Sequence, residues 1–135
     1  MNRPAITLSR LDVERIENLL ERLPAAAAQQ HAALRAELER ADVREPGDMP
    51  SNVVTMNSTV TFGDEGGGER VTVTLVYPSA AGKPGTVSVL APVGSALLGL
   101  ACGQEIDWPM PGGQSHRLRV VKIDYQPEAA GDLHR

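Results

Sequence analysis

The sequence predicts an α+β protein in which a short antiparallel helical hairpin precedes a mainly antiparallel sheet with one small helix. Apolar residues recur at helical spacing in the first part of the chain, and they alternate along it from residue 54 onward. Between the two patterns, the segment 44–51 contains two prolines and a glycine, which prevent a helix from continuing. We therefore predict a hairpin domain over residues 1–45 and a sheet domain over residues 52–135.

Two amphipathic helices predict the hairpin. The first begins after Ser9, whose hydroxyl can cap it, and Asp12 completes a capping-box-like pair three residues later. Pro24 ends this helix, and a second helix follows over about residues 27–41. One apolar stripe runs along each helix: Val13, Ile16, Leu20 and Leu23 on the first, and Leu34 and Leu38 on the second. The two stripes indicate that the helices pack together as a short coiled coil.

Alternation predicts the strands that follow. Apolar residues at 54, 56, 60 and 62 fall on one face of a first strand, and a glycine-rich turn at 63–68 leads into the next. Further strands are predicted at 71–75, 86–90, 106–108 and 117–125. In the strand predicted at 117–125, the apolar residues change from one face of the strand to the other between Val120 and Val121. This change indicates either a β-bulge or a strand covered on both faces.

The stretch 88–103 reads S-V-L-A-P-V-G-S-A-L-L-G-L-A-C-G and joins a strand to a short uncharged helix. Pro92 has a fixed φ and no amide donor, so it stops the strand and can open the helix near its first turn. A hydrophobic helix this short has little stability alone and must lie against the sheet.

This strand, proline turn and helix resemble the C-terminal domain of the Gre transcript-cleavage factors, where the pattern Ser-Pro-Ile-x-x-x-Leu-hydrophobic-Gly stands. The block V-V-T-M-N-S at 53–58 and the tail Y-Q-P-E-A-A-G-D at 125–132 extend the resemblance to nearly the whole chain. The three blocks in this order are most similar to a small bacterial branch of that family, the regulators of nucleoside diphosphate kinase. The resemblance implies that the sheet domain is similar to the FK506-binding-protein (FKBP) fold.

The resemblance also implies where to look for chemistry. In Gre factors a longer hairpin enters the secondary channel of RNA polymerase, and acidic residues at its tip help to hold a catalytic magnesium ion. Here the predicted tip is Pro24, Ala25, Ala26 and Ala27, and no acidic residue lies between Glu21 and Glu37. We therefore expect no stimulation of transcript cleavage, no catalytic residue, no metal and no cofactor. The alternative is that the tip is an alanine-rich turn without a function.

The second candidate site is the proline turn formed by Ala91, Pro92, Val93, Gly94 and Ser95. The matching Gre residues grip a coiled coil at the rim of the secondary channel, although Ala91 replaces the family's serine. The resemblance thus implies an RNA polymerase partner, competition with Gre factors, contact with nucleic acid only through the polymerase, and a link to nucleoside diphosphate kinase levels. The alternative is that these residues only turn the chain onto the sheet.

Composition disfavours several other functions. Aromatic residues make up 3% of the chain, too few for a ring-walled pocket or a base-stacking surface, so an FKBP-type peptidyl-prolyl isomerase is a weaker alternative. A formal net charge of −4 argues against a broad phosphate-binding face. A module that binds a protein other than polymerase is the remaining alternative.

Other residues are predicted to be structural. The single cysteine, Cys102, is expected to be a buried small hydrophobe, and Glu105 and Asp107 are expected on a solvated strand face. The three histidines lack metal-ligand spacing. Without an apparent signal peptide or a stretch long enough to span a bilayer, a cytoplasmic location is expected.

Overall fold

A five-stranded sheet forms the body of the protein, and two helices and a two-stranded sheet come before it in the chain. The computed structural model describes residues 6–24, 31–64, 70–109 and 115–131. The elements, in chain order, are β1 (Thr7–Ser9), α1 (Arg10–Glu21), α2 (Ala32–Arg40), β2 (Asp42–Arg44), β3 (Thr59–Asp64), β4 (Arg70–Val76), β5 (Thr86–Ser88), α3 (Pro92–Leu97), β6 (Glu105–Pro109) and β7 (Ser115–Tyr125). This is the α+β class that the sequence predicts.

One of the two hydrogen bonds that define the predicted capping box forms at the start of α1. The Ser9 hydroxyl accepts a hydrogen bond from the amide of Asp12 at 3.4 Å, as expected. The carboxylate of Asp12 does not return to Ser9, because it accepts a hydrogen bond from the amide of Met56 instead. The second helix begins at Ala32, later than predicted, and residues 25–30 lie outside the described residues.

The larger sheet has the strand order β5-β4-β3-β7-β6. Its pairs are antiparallel except for β4 with β5, which run parallel. In the smaller sheet β1 and β2 are parallel, and the amide of Thr7 in β1 donates to the carbonyl oxygen of Gly99 at 3.3 Å. This bond holds the first strand against the turn that follows α3.

The predicted first strand of the sheet starts too early. The chain at residues 55–58 is a turn, in which Asn57 has a φ of 66° and the amide of Ser58 donates to the carbonyl oxygen of Thr55 at 3.1 Å. The left-handed conformation of Asn57 breaks the alternation, so β3 begins at Thr59. Val54 and Met56 are nevertheless buried, as their apolar character requires.

The β-bulge predicted in the last strand is confirmed. Val120 pairs with Phe62 and Lys122 pairs with Thr61, so Val121 has no partner in β3. The register shifts a second time near Asp124, because Ile123 pairs with Val60 and Tyr125 with Thr59. The bulge explains why the buried positions of β7 change phase there.

One apolar core joins the helices to the sheet. It includes Ile16, Leu20 and Leu34 from the helices together with Leu75 from β4 and Leu97 from α3. Along the described ranges, no helix is both long and apolar enough to cross a membrane.

Two smaller predictions have different outcomes. Glu105 and Asp107 do lie on a solvated strand face, where they pair with Arg119 at 3.6 Å and Arg117 at 3.0 Å. The prediction that Cys102 is buried is wrong: Cys102 is exposed in a turn, and its thiol donates to the carbonyl oxygen of Val121 at 3.2 Å.

Candidate functional site

The segment of residues 88–95, here called the proline corner, connects β5 to α3. Hydrogen bonds within the segment hold it together. The carbonyl oxygen of Ser88 accepts from the amide of Ala91 at 3.0 Å, and the Ser88 hydroxyl accepts from the amide of Leu90 at 3.1 Å. Ser95 is buried, and its hydroxyl donates to the carbonyl oxygen of Val89 at 2.6 Å. Pro92 is the first residue of α3, as predicted. These bonds fix the shape of the corner.

The five predicted contact residues divide into two groups. Ala91, Pro92 and Val93 are half-buried, whereas Gly94 and Ser95 are buried and support the corner from inside. The segment 84–104 contains no charged residue. The corner therefore presents a small, rigid, apolar and uncharged surface, with Pro92 at its centre. That this surface binds a partner stays a prediction.

The predicted hairpin tip is only partly described. Pro24 is exposed, and Ala25, Ala26 and Ala27 lie outside the described residues. The guanidinium of Arg35 in α2 donates to the carbonyl oxygen of Leu20 at 3.4 Å and so ties α2 to the last turn of α1. This bond joins the two helices near the end of α1.

Carboxylates line the groove between α1 and α2, which the sequence analysis did not anticipate. The groove is formed by Glu17, Glu21 and Glu39 with Arg35 and the apolar Leu20 and Leu38. Glu17 and Glu21 lie one helical turn apart, a spacing that could have indicated a shared face. Among the described residues, no three acidic, histidine or cysteine side chains are placed to hold a metal ion.

A buried polar cluster joins α1 to the sheet, and the sequence analysis missed it too. Asp12 is 3% exposed, and its Oδ2 accepts from the amide of Met56 at 3.1 Å. The pKa of Asp12 is raised to about 7, because burial and the nearby charge of Glu128 raise it more than the Met56 amide and Arg15 lower it. The two members of this hydrogen bond are 44 residues apart in the sequence.

The three sequence blocks that carry the family resemblance meet around this cluster and the corner. Thr55 donates its hydroxyl hydrogen to Glu128 Oε1 at 2.7 Å, and the hydroxyls of Thr55 and Ser58 lie 2.8 Å apart. Gln126 Nε2 donates to the carbonyl oxygens of Pro50 and Val53, both at 2.7 Å. The tail therefore holds the 53–58 block in place, and the amide of Val54 in turn donates to Leu100, just beyond α3, at 2.9 Å.

Tyr77 borders the same cluster. Its hydroxyl is buried and makes no hydrogen bond of ordinary geometry with the described residues. Burial raises the pKa of the Tyr77 phenol, and so does the charge of Asp12, whereas the nearby guanidinium of Arg15 lowers it. An open groove beside it is lined by Arg15, Asn18, Leu19, Arg22 and Tyr77.

Family models match both halves of the chain. Residues 49–125, more than half of the chain, match the model described as "Transcription elongation factor, GreA/GreB, C-term", and residues 4–43 match the one described as "Rnk N-terminus". The regulator of nucleoside diphosphate kinase of Escherichia coli K12 is 50% identical over 133 residues, which cover 98% of each chain. The chain belongs to the nucleoside diphosphate kinase regulators, a branch of the Gre family.

A solved structure and a transcription elongation factor agree with this membership. A solved structure described as a prokaryotic transcription elongation factor GreA/GreB from Nitrosomonas europaea is 50% identical, with a TM-score of 0.69, and the match covers 91% of this chain and 100% of that one. Transcription elongation factor GreA of Dehalococcoides mccartyi is 38% identical over 79 residues, which are 57% of this chain and 50% of that protein. These matches confirm the resemblance that the three sequence blocks indicated. They also relate this protein to the transcription elongation factors of the Gre family.

Proposed function

We propose that this protein is a non-enzymatic regulator of transcription elongation that binds RNA polymerase near its secondary channel through the proline corner. The single observation that carries the proposal is the half-buried apolar surface of Ala91, Pro92 and Val93, held by hydrogen bonds on a Gre-like sheet. An uncharged surface of this kind can bury apolar area against a partner at little cost in side-chain ordering.

The helical part of the chain gives the proposal its second element. We propose that α1 and α2 form a short antiparallel hairpin that points toward the channel from an FKBP-like sheet domain. The division into a hairpin at 1–45 and a sheet domain at 52–135 is supported by the separate family models at 4–43 and 49–125. With 12 residues, α1 has a length of about 18 Å.

The effect that we propose is competition. A protein that occupies the entrance used by Gre factors would exclude them by mass action, without any chemistry of its own. The sequence of the tip, which lacks Asp and Glu between Glu21 and Glu37, supports a role without transcript cleavage. A link to nucleoside diphosphate kinase levels is carried by the name of the Escherichia coli relative alone.

The isomerase alternative has less support. Such an enzyme needs an aromatic-lined pocket, yet Phe62 and Trp108 are 8% and 3% exposed in the core. Fold kinship does not carry the activity. A prolyl-peptide isomerisation assay is expected to give the uncatalysed rate, and a faster rate would favour the alternative.

Backtracked elongation complexes test the proposal directly. With a cognate Gre factor present, increasing amounts of the protein should progressively reduce transcript cleavage, and the protein alone should give none. Direct binding to purified polymerase should be measured in the same buffer. Unchanged cleavage at saturating protein, or no binding, would contradict the competition mechanism.

A further inference from the structure

Two carboxylates from distant parts of the chain hold the same short turn. Asp12 of α1 accepts from the backbone amide of Met56 at 3.1 Å, and Glu128 accepts from the hydroxyl of Thr55 at 2.7 Å. Within the turn, the hydroxyl of Ser58 also accepts from the amide of Thr55 at 3.0 Å. The turn at residues 55–58 is therefore anchored to the first helix on one side and to the C-terminal tail on the other.

The bond from Asp12 contributes something that the apolar contacts of α1 do not. Ile16 and Leu20 pack into the common core, but apolar contacts are non-directional and tolerate small rotations of a helix. A hydrogen bond is directional, since it weakens steeply when the angle at the hydrogen falls. A buried carboxylate is also an expensive way to fill space, so an apolar residue would serve better if packing were its purpose.

We propose that Asp12 is a positioning residue, which sets the direction of α1 relative to the turn at residues 55–58 through its hydrogen bond to the Met56 amide, with Glu128 bracing the turn. The functional role of the direction of α1 rests on the proposed function, because the hairpin must point at the polymerase channel to occupy it. The bond can be measured without polymerase, so a failure of this inference is distinguishable from a failure of polymerase binding.

Protonation modulates this bond. The groups that face Asp12 are Glu128 from the tail, Arg15 from α1 and Tyr77 from the end of β4. The Met56 amide favours the ionised form of Asp12, but burial and the charge of Glu128 disfavour that form more strongly, so ionisation favours openings that return Asp12 to water. The bond therefore opens more often as pH rises from about 4 to 7 and changes little above that range.

Amide hydrogen exchange tests the bond. Asp12→Leu removes the acceptor, and Asp12→Asn keeps it while removing the charge. Relative to Asp12→Asn, Asp12→Leu should raise the exchange rate of the Met56 amide about tenfold or more. The Val54 amide, which lies just before the turn and donates to the carbonyl oxygen of Leu100, should change little and serves as the internal control. Equal Met56 protection in the two variants would overturn the proposal.

A distance measurement tests the direction of α1. Cys102 is the single cysteine and is exposed, and Glu21→Cys adds a second exposed label site at the end of α1. The distance distribution between spin labels at these sites should broaden in Asp12→Leu and stay narrow in Asp12→Asn. An unchanged distribution in Asp12→Leu would show that apolar packing alone sets the direction, and would refute the proposal.

The pH dependence covers the case in which Asp12→Leu does not fold. After correction for intrinsic exchange, Met56 protection in the natural protein should fall between pH 5 and pH 8, and Asp12→Asn should show no such fall. The same pH dependence in both proteins would refute the proposal.

Discussion

Gly94 lies against Ser88 so closely that no side chain fits between them. A Cβ built on Gly94 would be 2.0 Å from the carbonyl oxygen of Ser88 and 3.1 Å from Leu75 Cδ1. That carbonyl already accepts the amide of Ala91, which closes the proline corner. The contact lets α3 pack directly on the end of β5, so it determines how the corner is presented.

The first prediction is that Gly94→Ala destabilises the protein. A methyl group at this position must displace backbone atoms rather than a flexible side chain, and overpacking of this kind costs about 1–3 kcal/mol or more. Urea unfolding measures the effect. Gly47→Ala is the matched control, because a Cβ there has nothing within 4 Å and should change stability by less than about 0.5 kcal/mol. Equal stabilities of the two variants would contradict the close contact.

The features that local periodicity encodes could be predicted from the sequence. The stripe of α1, the proline start of α3 and the bulge at Val121 each leave a pattern within a few residues. The start of β3 could not be predicted in this way, because Asn57 takes a left-handed conformation inside an otherwise alternating run. Cys102 has apolar neighbours, yet the turn at Gly103 exposes it.

The buried cluster could not be predicted from the sequence for a different reason. Asp12 follows a capping residue, so a local role explains it completely at the level of sequence. Its actual partner, Met56, is 44 residues away, and only the fold brings the two together. In the corner, the sequence could not separate the half-buried Ala91, Pro92 and Val93 from the buried Gly94 and Ser95 behind them.

The second prediction concerns the pH dependence of stability. The folded pKa of Asp12, about 7, lies above the ordinary value of 3.8, so the folded protein binds this proton more tightly than the unfolded chain. The resulting stabilisation is fully present below about pH 4 and is lost as pH rises to about 7. Asp12→Asn should therefore increase stability at pH 8 by about 1–3 kcal/mol and have a smaller effect at pH 4.5.

Chemical unfolding at the two pH values measures this difference. Asp48→Asn is the control, because Asp48 is exposed and the substitution makes the same chemical change at the surface. A lower stability of Asp12→Asn at pH 8 would mean that the negative charge stabilises the fold, against the raised pKa.

The third prediction separates docking from folding at Ala91. Ala91 is the N-cap of α3 and makes no side-chain capping bond. Ser or Asp at this position can accept from the first amides of the helix, which typically adds about 1 kcal/mol to stability. Ala91→Asp also places a charge on the apolar surface, so polymerase affinity should fall about tenfold, whereas Ala91→Ser should bind at least as tightly as the natural protein.

Both variants should be compared by thermal unfolding and by titration with purified polymerase. Because both add the same cap, a loss of binding in Ala91→Asp alone reports on the surface and not on the fold. Equal affinities would remove the corner from the proposed interface.

The last prediction concerns the reach of the hairpin. The joint substitutions Ala25→Asp and Ala26→Glu restore two carboxylates to the tip, the residue type that holds magnesium in the longer Gre hairpin. With an α1 of about 18 Å, these carboxylates should stop short of the polymerase active centre, so the variant should bind polymerase without stimulating cleavage of backtracked transcripts. A cognate Gre factor serves as the positive control for cleavage, and a binding titration ensures that the variant occupies the polymerase. Cleavage by the variant would refute the length argument, because it would mean that only the missing carboxylates separate this protein from a cleavage factor. It would not affect the proposal that the proline corner binds polymerase.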